Sequence, residues 1–72
     1  MRVLVIGATG QTGQHVVSQL LAQGHEVTAF ARNPSAINEC ERLRAAVGDA
    51  RDLQSIERAV AGQNAVIVTF GP

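Results

Sequence analysis

The order of apolar and polar residues predicts alternating strands and helices along this chain. Residues 3–6, Val-Leu-Val-Ile, are continuously apolar and mostly β-branched, which is typical of a strand buried on both faces. We therefore predict a first strand over residues 2–6. Over residues 11–23 the spacing changes to that of an amphipathic helix. Its apolar positions are Val16, Val17, Leu20 and Leu21.

The alternation continues to the last residues of the chain. Residues 25–31 predict a second strand, and residues 43–48 predict a short third strand. A clearer helix follows over residues 52–62, and the apolar residues 65–70 predict a fourth strand. The segment between the second and third strands, residues 35–42, is ambiguous and is interpreted as a short helix.

Both clear helices carry terminal signals. Gly24 is predicted to end the first helix as a C-terminal cap, and Gly62 to end the second. Asp52 is predicted to be the N-cap of the second helix because its carboxylate can accept a bond from the first-turn amides. The apolar residues of this helix, at i, i+3 and i+7 spacing, are predicted to form its buried face. They are Leu53, Ile56 and Val60.

The element order β-α-β-(α)-β-α-β places the chain in the α/β class. Near-continuous apolar strands that alternate with helices predict a parallel, doubly wound, Rossmann-like sheet covered on both faces. A complete dinucleotide-binding fold of this type has two halves, and these residues supply one of them. We expect residues 1–72 to be the N-terminal part of a NAD(P)-binding Rossmann domain in a longer protein. The alternative is a natural mini-domain.

Composition narrows the function classes. The formal net charge is zero, which argues against nucleic-acid and membrane-surface partners. The 46% hydrophobic content is that of a chain that forms a core, and the single cysteine, Cys40, forms no internal disulfide. The apolar stretches are too short to span a membrane, and no cleavage-site pattern of a secretory signal follows the first residues. We expect a cytoplasmic location and no metal site, since no Cys/His cluster has zinc spacing.

The sequence "GATGQTG" joins the first strand to the first helix. Helix N-termini attract phosphate because they present unpaired backbone N–H groups and a partial positive charge. Gly7 can make the tight turn, Gly10 can let phosphates approach, and Gly13 can let the helix pack closely on the strand. Further donors are expected from Thr9, Gln11 and Thr12. The alternative is a turn with a close helix–sheet contact and no ligand.

Three stretches together resemble the short-chain dehydrogenase/reductase superfamily. They are "GATGQTG", "VVSQLLAQGHEVTAFARNP" and "VGDARDLQSIERAVAGQNAVIVTFG", which cover essentially the whole chain. The similarity is greatest to the extended and atypical branches, including the NmrA-like and flavin-reductase-like proteins. The resemblance implies NADP(H) binding within an NAD(P)-dependent oxidoreductase. It also leaves open a non-catalytic NADP-sensing or regulatory module that resembles the NmrA-like proteins.

The end of the second strand predicts which dinucleotide is bound. In such folds an acidic residue there binds the ribose hydroxyls of NAD, whereas a basic residue accommodates the 2′-phosphate of NADP. Here Ala31 stands where the acid would fall, and Arg32 follows it. An arginine can pair with a phosphate through two parallel bonds. We therefore predict NADP(H) rather than NAD(H), the alternative being that Arg32 is a solvated turn residue.

Two further groups of cofactor contacts are implied by the resemblance alone. The carboxylate of Asp49 and the backbone N–H of Ala50 would meet the adenine edge, although Asp49 could instead belong to the helix start. The backbone at the end of the fourth strand would border the adenosine ribose and the nicotinamide side, although its aromatic residue could be core. These residues are Thr69, Phe70 and Gly71.

No catalytic residue is recognisable within the chain. The related reductases use a Tyr-x-x-x-Lys pair, in which the tyrosine donates a proton to the carbonyl, and this chain has neither tyrosine nor lysine. His15 and His25 have no evident carboxylate or cysteine partner, and Cys40 is interpreted as a passive thiol. The fourth strand, apolar on both faces, is expected to expose surface in the isolated chain and to drive self-association.

Overall fold

The computed structural model describes residues 1–69 of the chain. Within those residues four strands and two α-helices alternate, and every strand pair is parallel. The strands lie in the order β3-β2-β1-β4, which confirms the Rossmann-like α/β sheet. The elements are β1 (Arg2–Ile6), α1 (Gln11–Ala22), β2 (Glu26–Ala31), β3 (Leu43–Val47), α2 (Leu53–Val60) and β4 (Ala65–Val68).

The central strand β1 is buried because both of its faces are covered. Val3 and Val5 belong to the core on the α1 face, where the half-buried apolar residues of α1 pack against them. Leu4 and Ile6 belong to a second core on the α2 face, where they meet Phe30 of β2. This two-sided burial explains why the strand sequence is continuously apolar instead of alternating.

The C-terminus of α1 has the predicted glycine cap. Gly24 adopts a φ of +89°, a conformation that costs glycine nothing because it has no Cβ. The Gly24 amide donates to the Leu21 carbonyl at 3.1 Å, and the His25 amide donates to the Leu20 carbonyl at 3.0 Å. These two bonds satisfy carbonyls at the end of the helix and direct the chain into β2.

The helix predicted over residues 35–42 is wrong. A single 3₁₀ turn at Pro34–Ala36 begins the segment, and Cys40 then forms an antiparallel bridge with Leu43. Ile37 is the one large apolar residue of the segment, so a helix would have no apolar stripe to bury, and such a stripe supplies most helical stability. The Glu39 carboxylate instead accepts the backbone N–H of Ala45 at 3.2 Å, an amide on the outer edge of the sheet.

Helix α2 begins at its predicted cap but buries a different face. The Asp52 carboxylate accepts the Gln54 amide at 3.1 Å, which confirms the N-cap. Ile56 packs on the sheet as predicted, whereas Leu53 and Val60 are 68% and 39% exposed. The small residues Ser55 and Ala59 lie towards the sheet instead, because a buried hydroxyl on Ser55 bonds to the preceding loop and fixes the rotation of the helix.

The outer strand β4 carries exposed valines on its α2 face. Val66 and Val68 pair in register with Leu4 and Ile6, which pack under α2, so all four side chains lie on one face of the sheet. The two valines are nevertheless 42% and 52% exposed, because no described element covers that face of β4. Phe70, which was predicted to end this strand, lies outside the described residues. In the described part of the chain, neither α-helix has the length and apolar character needed to cross a membrane.

Candidate functional site

Gly7 turns the chain sharply at the carboxyl end of β1. Its φ of +86° lies in the left-handed region, which side chains other than that of glycine rarely adopt. A Cβ placed on Gly7 would also collide with the carbonyl oxygen of Thr69, because the Thr69 amide donates to the Ile6 carbonyl at 2.8 Å. The fold itself therefore requires a glycine at this position.

Gly13 is buried where the first turn of α1 meets the loop. A Cβ on this residue would collide with the Gly7 carbonyl oxygen and would lie 2.8 Å from the Cα of Ala8. Both neighbours are backbone atoms that cannot move aside independently. The predicted close approach is therefore present, with the loop backbone immediately after β1 as the surface that α1 contacts.

Gly10 differs from the other two glycines of the loop. It is the N-cap of α1 with φ −75° and ψ 168°, an extended conformation open to any residue. A Cβ here would meet only the Gly7 carbonyl oxygen, at an ordinary contact distance of 3.7 Å. The fold leaves room for a methyl group at Gly10, so the described contacts give no reason for a glycine there. The open space lies at the start of the helix.

The N-terminus of α1 presents free backbone donors to that space. The first helical hydrogen bond runs from the Gln14 amide to the Gly10 carbonyl at 2.9 Å, so the amides of residues 11–13 precede it. Gly10 has no side chain to cap them, and the first turn contains no acidic residue. Within residues 1–69 the site therefore combines N–H groups without a partner, the positive end of a helix and an opening without a Cβ, which is the chemistry that binds phosphate.

A second polar region lies at the carboxyl ends of β2 and β3. The Gly48 amide donates to the Ala31 carbonyl at 3.0 Å, so Arg32 and Asp49 follow two strand ends that lie side by side. The exposed Arg32 occupies the predicted position. The Arg51 guanidinium, bonded to the Asp49 carboxylate, lowers the pKa of that carboxyl below its ordinary value, and Arg32 adds a smaller lowering. Asp49 is therefore charged at neutral pH.

Ser55 fixes the loop that holds Asp49, and sequence reasoning missed it. Ser55 is 4% exposed, and its hydroxyl oxygen accepts a hydrogen bond from the Asp49 backbone N–H at 3.2 Å. It lies 2.9 Å from the Asp49 carbonyl and 2.8 Å from the Asp52 carbonyl, and it can donate its proton to either. The available signal was a hydroxyl residue three positions after the Asp52 cap, where it can bond back to the preceding loop.

The predicted site residues lie along one edge of the sheet. The glycine loop follows β1, and Thr69 follows β4, with its hydroxyl 3.0 Å from the Gly7 carbonyl oxygen. Arg32, Asp49 and the exposed Ala50 follow β2 and β3 on the same carboxyl edge. Open parallel sheets bind ligands outside this edge, at the point where the strand order reverses. The predicted contacts at Phe70 and Gly71 lie outside the described residues.

A sequence model of the NAD(P)H-binding family matches residues 7–72. The chain belongs to this family. The match includes the glycine loop, both helices and the carboxyl edge, so a nicotinamide dinucleotide is the ligand class of the site. The open space at Gly10 and the unpaired amides beyond it fit the pyrophosphate of such a ligand.

Individual relatives agree with the family. The 3-beta-hydroxysteroid dehydrogenase of Mycolicibacterium neoaurum is 40% identical over 68 residues, which are 94% of this chain and 19% of that protein. A short-chain dehydrogenase/reductase superfamily protein from Agrobacterium tumefaciens, solved with bound NAD, is 30% identical with a TM-score of 0.78. The match covers 100% of this chain and 21% of that one.

A Rossmann-fold NAD(P)-binding family protein from Shigella flexneri is 31% identical, with a TM-score of 0.83 over 99% of this chain and 38% of that one. The resemblance to the short-chain dehydrogenase/reductase superfamily is thus confirmed. The NAD(P)H-binding chain spans about a fifth of the length of its curated relative from Mycolicibacterium.

Proposed function

We propose that this chain is the NADP(H)-binding half of an oxidoreductase of the extended or atypical short-chain dehydrogenase/reductase type. The observation that carries the proposal is Gly10, a glycine that the fold does not need, at the opening of a helix whose first amides are unpaired. Because phosphate oxygens must come close to those amides, the absence of a Cβ there is explained by a bound pyrophosphate. The relative named as a dehydrogenase favours a redox reaction for the whole protein.

In this proposal each part of the carboxyl edge holds one part of the cofactor. The amides of residues 11–13 bind the pyrophosphate, with Thr9 and Thr12 as further donors. Arg32 pairs with the 2′-phosphate, and Asp49 with the Ala50 amide meets the adenine edge. Thr69, which follows β4, borders the ribose and the nicotinamide side, and the same role predicted for Phe70 and Gly71 falls on residues outside the described ones. The bound cofactor supplies a hydride to an acceptor, and the residues of this chain bind and orient it.

The second candidate function is a non-catalytic NADP-sensing or regulatory module. It rests on the resemblance of the three quoted stretches to the NmrA-like proteins. Assaying NADPH oxidation with carbonyl, quinone and flavin acceptors separates the two in the protein that carries this chain. Turnover supports the oxidoreductase, whereas tight NADPH binding without turnover supports the sensor. Under either function, we propose that the chain is the N-terminal part of a longer, cytoplasmic protein.

Replacing Arg32 with alanine is expected to weaken NADPH binding about 10- to 100-fold and to leave NADH binding within about twofold. One charge-assisted bond to phosphate contributes roughly 1.5–3 kcal/mol, and the 2′-phosphate is present only in NADPH. Isothermal titration of both dinucleotides against both proteins measures the effect. Arg58→Ala, which removes an exposed arginine from the last turn of α2, is the matched control and should change neither affinity.

Equal affinities of the unaltered chain for NADPH and NADH would contradict the NADP preference. An unchanged preference in Arg32→Ala would remove this residue from the assignment.

We also propose that the isolated chain self-associates through β4. This strand is one of the two outer strands of the described sheet, and Val66 and Val68 expose apolar surface on one face of it. A second copy that packs on this face of β4 would bury both valines. The double variant Val66→Thr/Val68→Thr keeps β-branched side chains but makes that surface polar, so association should weaken tenfold or more.

Sedimentation velocity over a range of concentrations measures this association. Val47→Thr is the matched control because Val47 is 62% exposed and lies on β3, the strand at the opposite edge of the sheet. It should associate as the unaltered chain does. A monomer at every concentration, with cooperative unfolding, would refute self-association.

A further inference from the structure

We propose that Arg51 is a second specificity-determining residue for NADP(H), held by Asp49 so that its guanidinium binds the 2′-phosphate together with Arg32. This inference rests on the proposed NADP(H) binding and deepens it. It assigns a role to an arginine that neither the glycine loop nor the β2 end accounts for.

Arg51 makes three hydrogen bonds to one carboxylate, two from its side chain and one from its backbone N–H. Its Nε lies 3.3 Å from Asp49 Oδ1, and its Nη2 lies 3.0 Å from Asp49 Oδ2. The backbone N–H of Arg51 also donates to Asp49 Oδ1 at 2.9 Å. The paired contacts form a planar fork, and the amide bond restricts the turn from which the side chain projects. The guanidinium thus lies against the Asp49 carboxylate, and with 83% of its side chain exposed it stays accessible to a ligand.

The loop under this pair is itself held in place. The Asp52 amide donates to the Asp49 carbonyl at 2.8 Å, which closes a tight turn between β3 and α2. The buried Ser55 hydroxyl also accepts the backbone N–H of Asp49 and lies within bonding distance of the Asp49 carbonyl oxygen. A ligand that binds at this turn finds it already ordered, so less conformational entropy is lost on binding.

Arg32 and Arg51 both lie near the Asp49 carboxylate. Arg32 follows β2 at the point where the Ala31 carbonyl accepts the Gly48 amide, one residue before Asp49. The positive charge of Arg32 reaches Asp49, since it contributes to the lowered pKa of that carboxyl. The two guanidinium groups can each donate N–H bonds to a phosphate, whereas an uncharged ribose hydroxyl would leave most of these donors unused.

The pair leaves donors and acceptors for the cofactor. A guanidinium has five N–H groups, and Asp49 accepts two of them, so the others remain for a phosphate. A carboxylate has about four lone-pair sites, so Asp49 can hold Arg51 and still accept from an adenine amine. The proposal is therefore compatible with the adenine contact proposed for Asp49.

Arg51→Ala is the decisive variant, measured as the ratio of NADPH to NADH affinity by titration calorimetry. We expect NADPH binding to weaken about tenfold, NADH binding to change by less than about twofold, and the salt dependence of NADPH binding to become shallower. Arg51→Lys keeps the charge but loses the planar fork, so its NADPH:NADH affinity ratio should lie between those of the unaltered chain and of Arg51→Ala. Arg58→Ala, in the last turn of the helix that follows this loop, is the control for the loss of one positive charge.

The role of Asp49 is tested by a double-mutant cycle. Asp49→Asn should lower the NADPH:NADH ratio in the unaltered chain and leave it unchanged in Arg51→Ala, because Asp49 acts on the phosphate through Arg51. A contact with adenine changes both affinities equally and does not move the ratio. A direct charge effect of Asp49 would change the ratio in both backgrounds, which would overturn its positioning role.

The outcomes separate this inference from the proposed function. If Arg32→Ala abolishes the NADPH preference and Arg51→Ala does not change it, the role of Arg51 is wrong and NADP(H) binding stands. An equal loss in Arg58→Ala would show a general charge effect and also overturn it. If the unaltered chain binds both dinucleotides equally, or neither of them, the NADP(H) proposal fails and this inference fails with it.

Discussion

Gly13→Ala is expected to lower the free energy of unfolding by about 2 kcal/mol or more. Alanine is favoured over glycine inside a helix by about 1 kcal/mol, so the helix alone would become more stable. Against this gain, the new Cβ would collide with the Gly7 carbonyl oxygen and press on Ala8. Forcing backbone apart in a close-packed region costs about 1–3 kcal/mol and sometimes more. We expect the collision to dominate because both neighbours are backbone atoms.

Thermal and urea unfolding followed by circular dichroism measure this loss. A chain of 72 residues is stable by only about 4–11 kcal/mol, so a loss of 2 kcal/mol shifts the midpoint by roughly 10 °C. Gly10→Ala is the matched control, since the same methyl group is added three residues earlier without a collision. A Gly13→Ala protein as stable as Gly10→Ala would show that the loop relaxes freely around the methyl group.

The sequence predicts those elements whose burial follows from their own residues. β1 is continuously apolar because helices cover both faces, so its pattern contains the evidence for a parallel sheet. The C-terminus of α1 is equally predictable from nearby residues, because Gly24 supplies the positive φ that the helix cap needs. Arg32 lies at the carboxyl edge of the sheet because it directly follows β2, a strand that the sequence predicts. Such features depend on residues close together in the chain.

Features that depend on distant packing were predicted less well. The segment 35–42 was predicted as a helix from its composition, but a single large apolar residue, Ile37, is too little to hold a helix against the sheet. The rotation of α2 depends on the Ser55 hydroxyl, whose partners lie in the loop after β3. Periodicity placed Leu53 and Val60 inward, because it measures the apolar stripe of a helix and not the polar contact that orients it.

The seven residues of the glycine loop include a feature set by nearby residues and one set by a distant contact. The sequence predicts the turn at Gly7, but the second reason for that glycine is Thr69, which lies 62 positions further along the chain and packs against it. The sequence assigns the turn to Gly7, the phosphate approach to Gly10 and the close helix packing to Gly13, but it does not show which of these glycines the fold needs. The structure separates them, since it requires Gly7 and Gly13 and leaves Gly10 unconstrained. That separation is what makes Gly10 informative about a ligand.

Gly10→Ala is expected to weaken binding of NADPH and NADH alike by about 10- to 100-fold while leaving the chain folded. The methyl group would enter the open space at the start of α1, where the pyrophosphate has to approach the amides of residues 11–13. Losing one bond between a backbone N–H and a charged group costs about 1.5–3 kcal/mol, which corresponds to that range of affinity. Stability should change by less than about 1 kcal/mol, because a poorer N-cap is offset by a less flexible unfolded chain.

Titration of both dinucleotides, together with an unfolding curve of the same protein, tests this expectation. The loss should be equal for NADPH and NADH, since both contain the pyrophosphate, whereas Arg32→Ala should affect NADPH alone. Binding unaffected by the methyl group would mean that the phosphates lie away from the α1 N-terminus, and Gly10 would no longer support the proposed function. A loss of binding accompanied by unfolding would mean that the space at Gly10 is needed by the fold, contrary to its open surroundings.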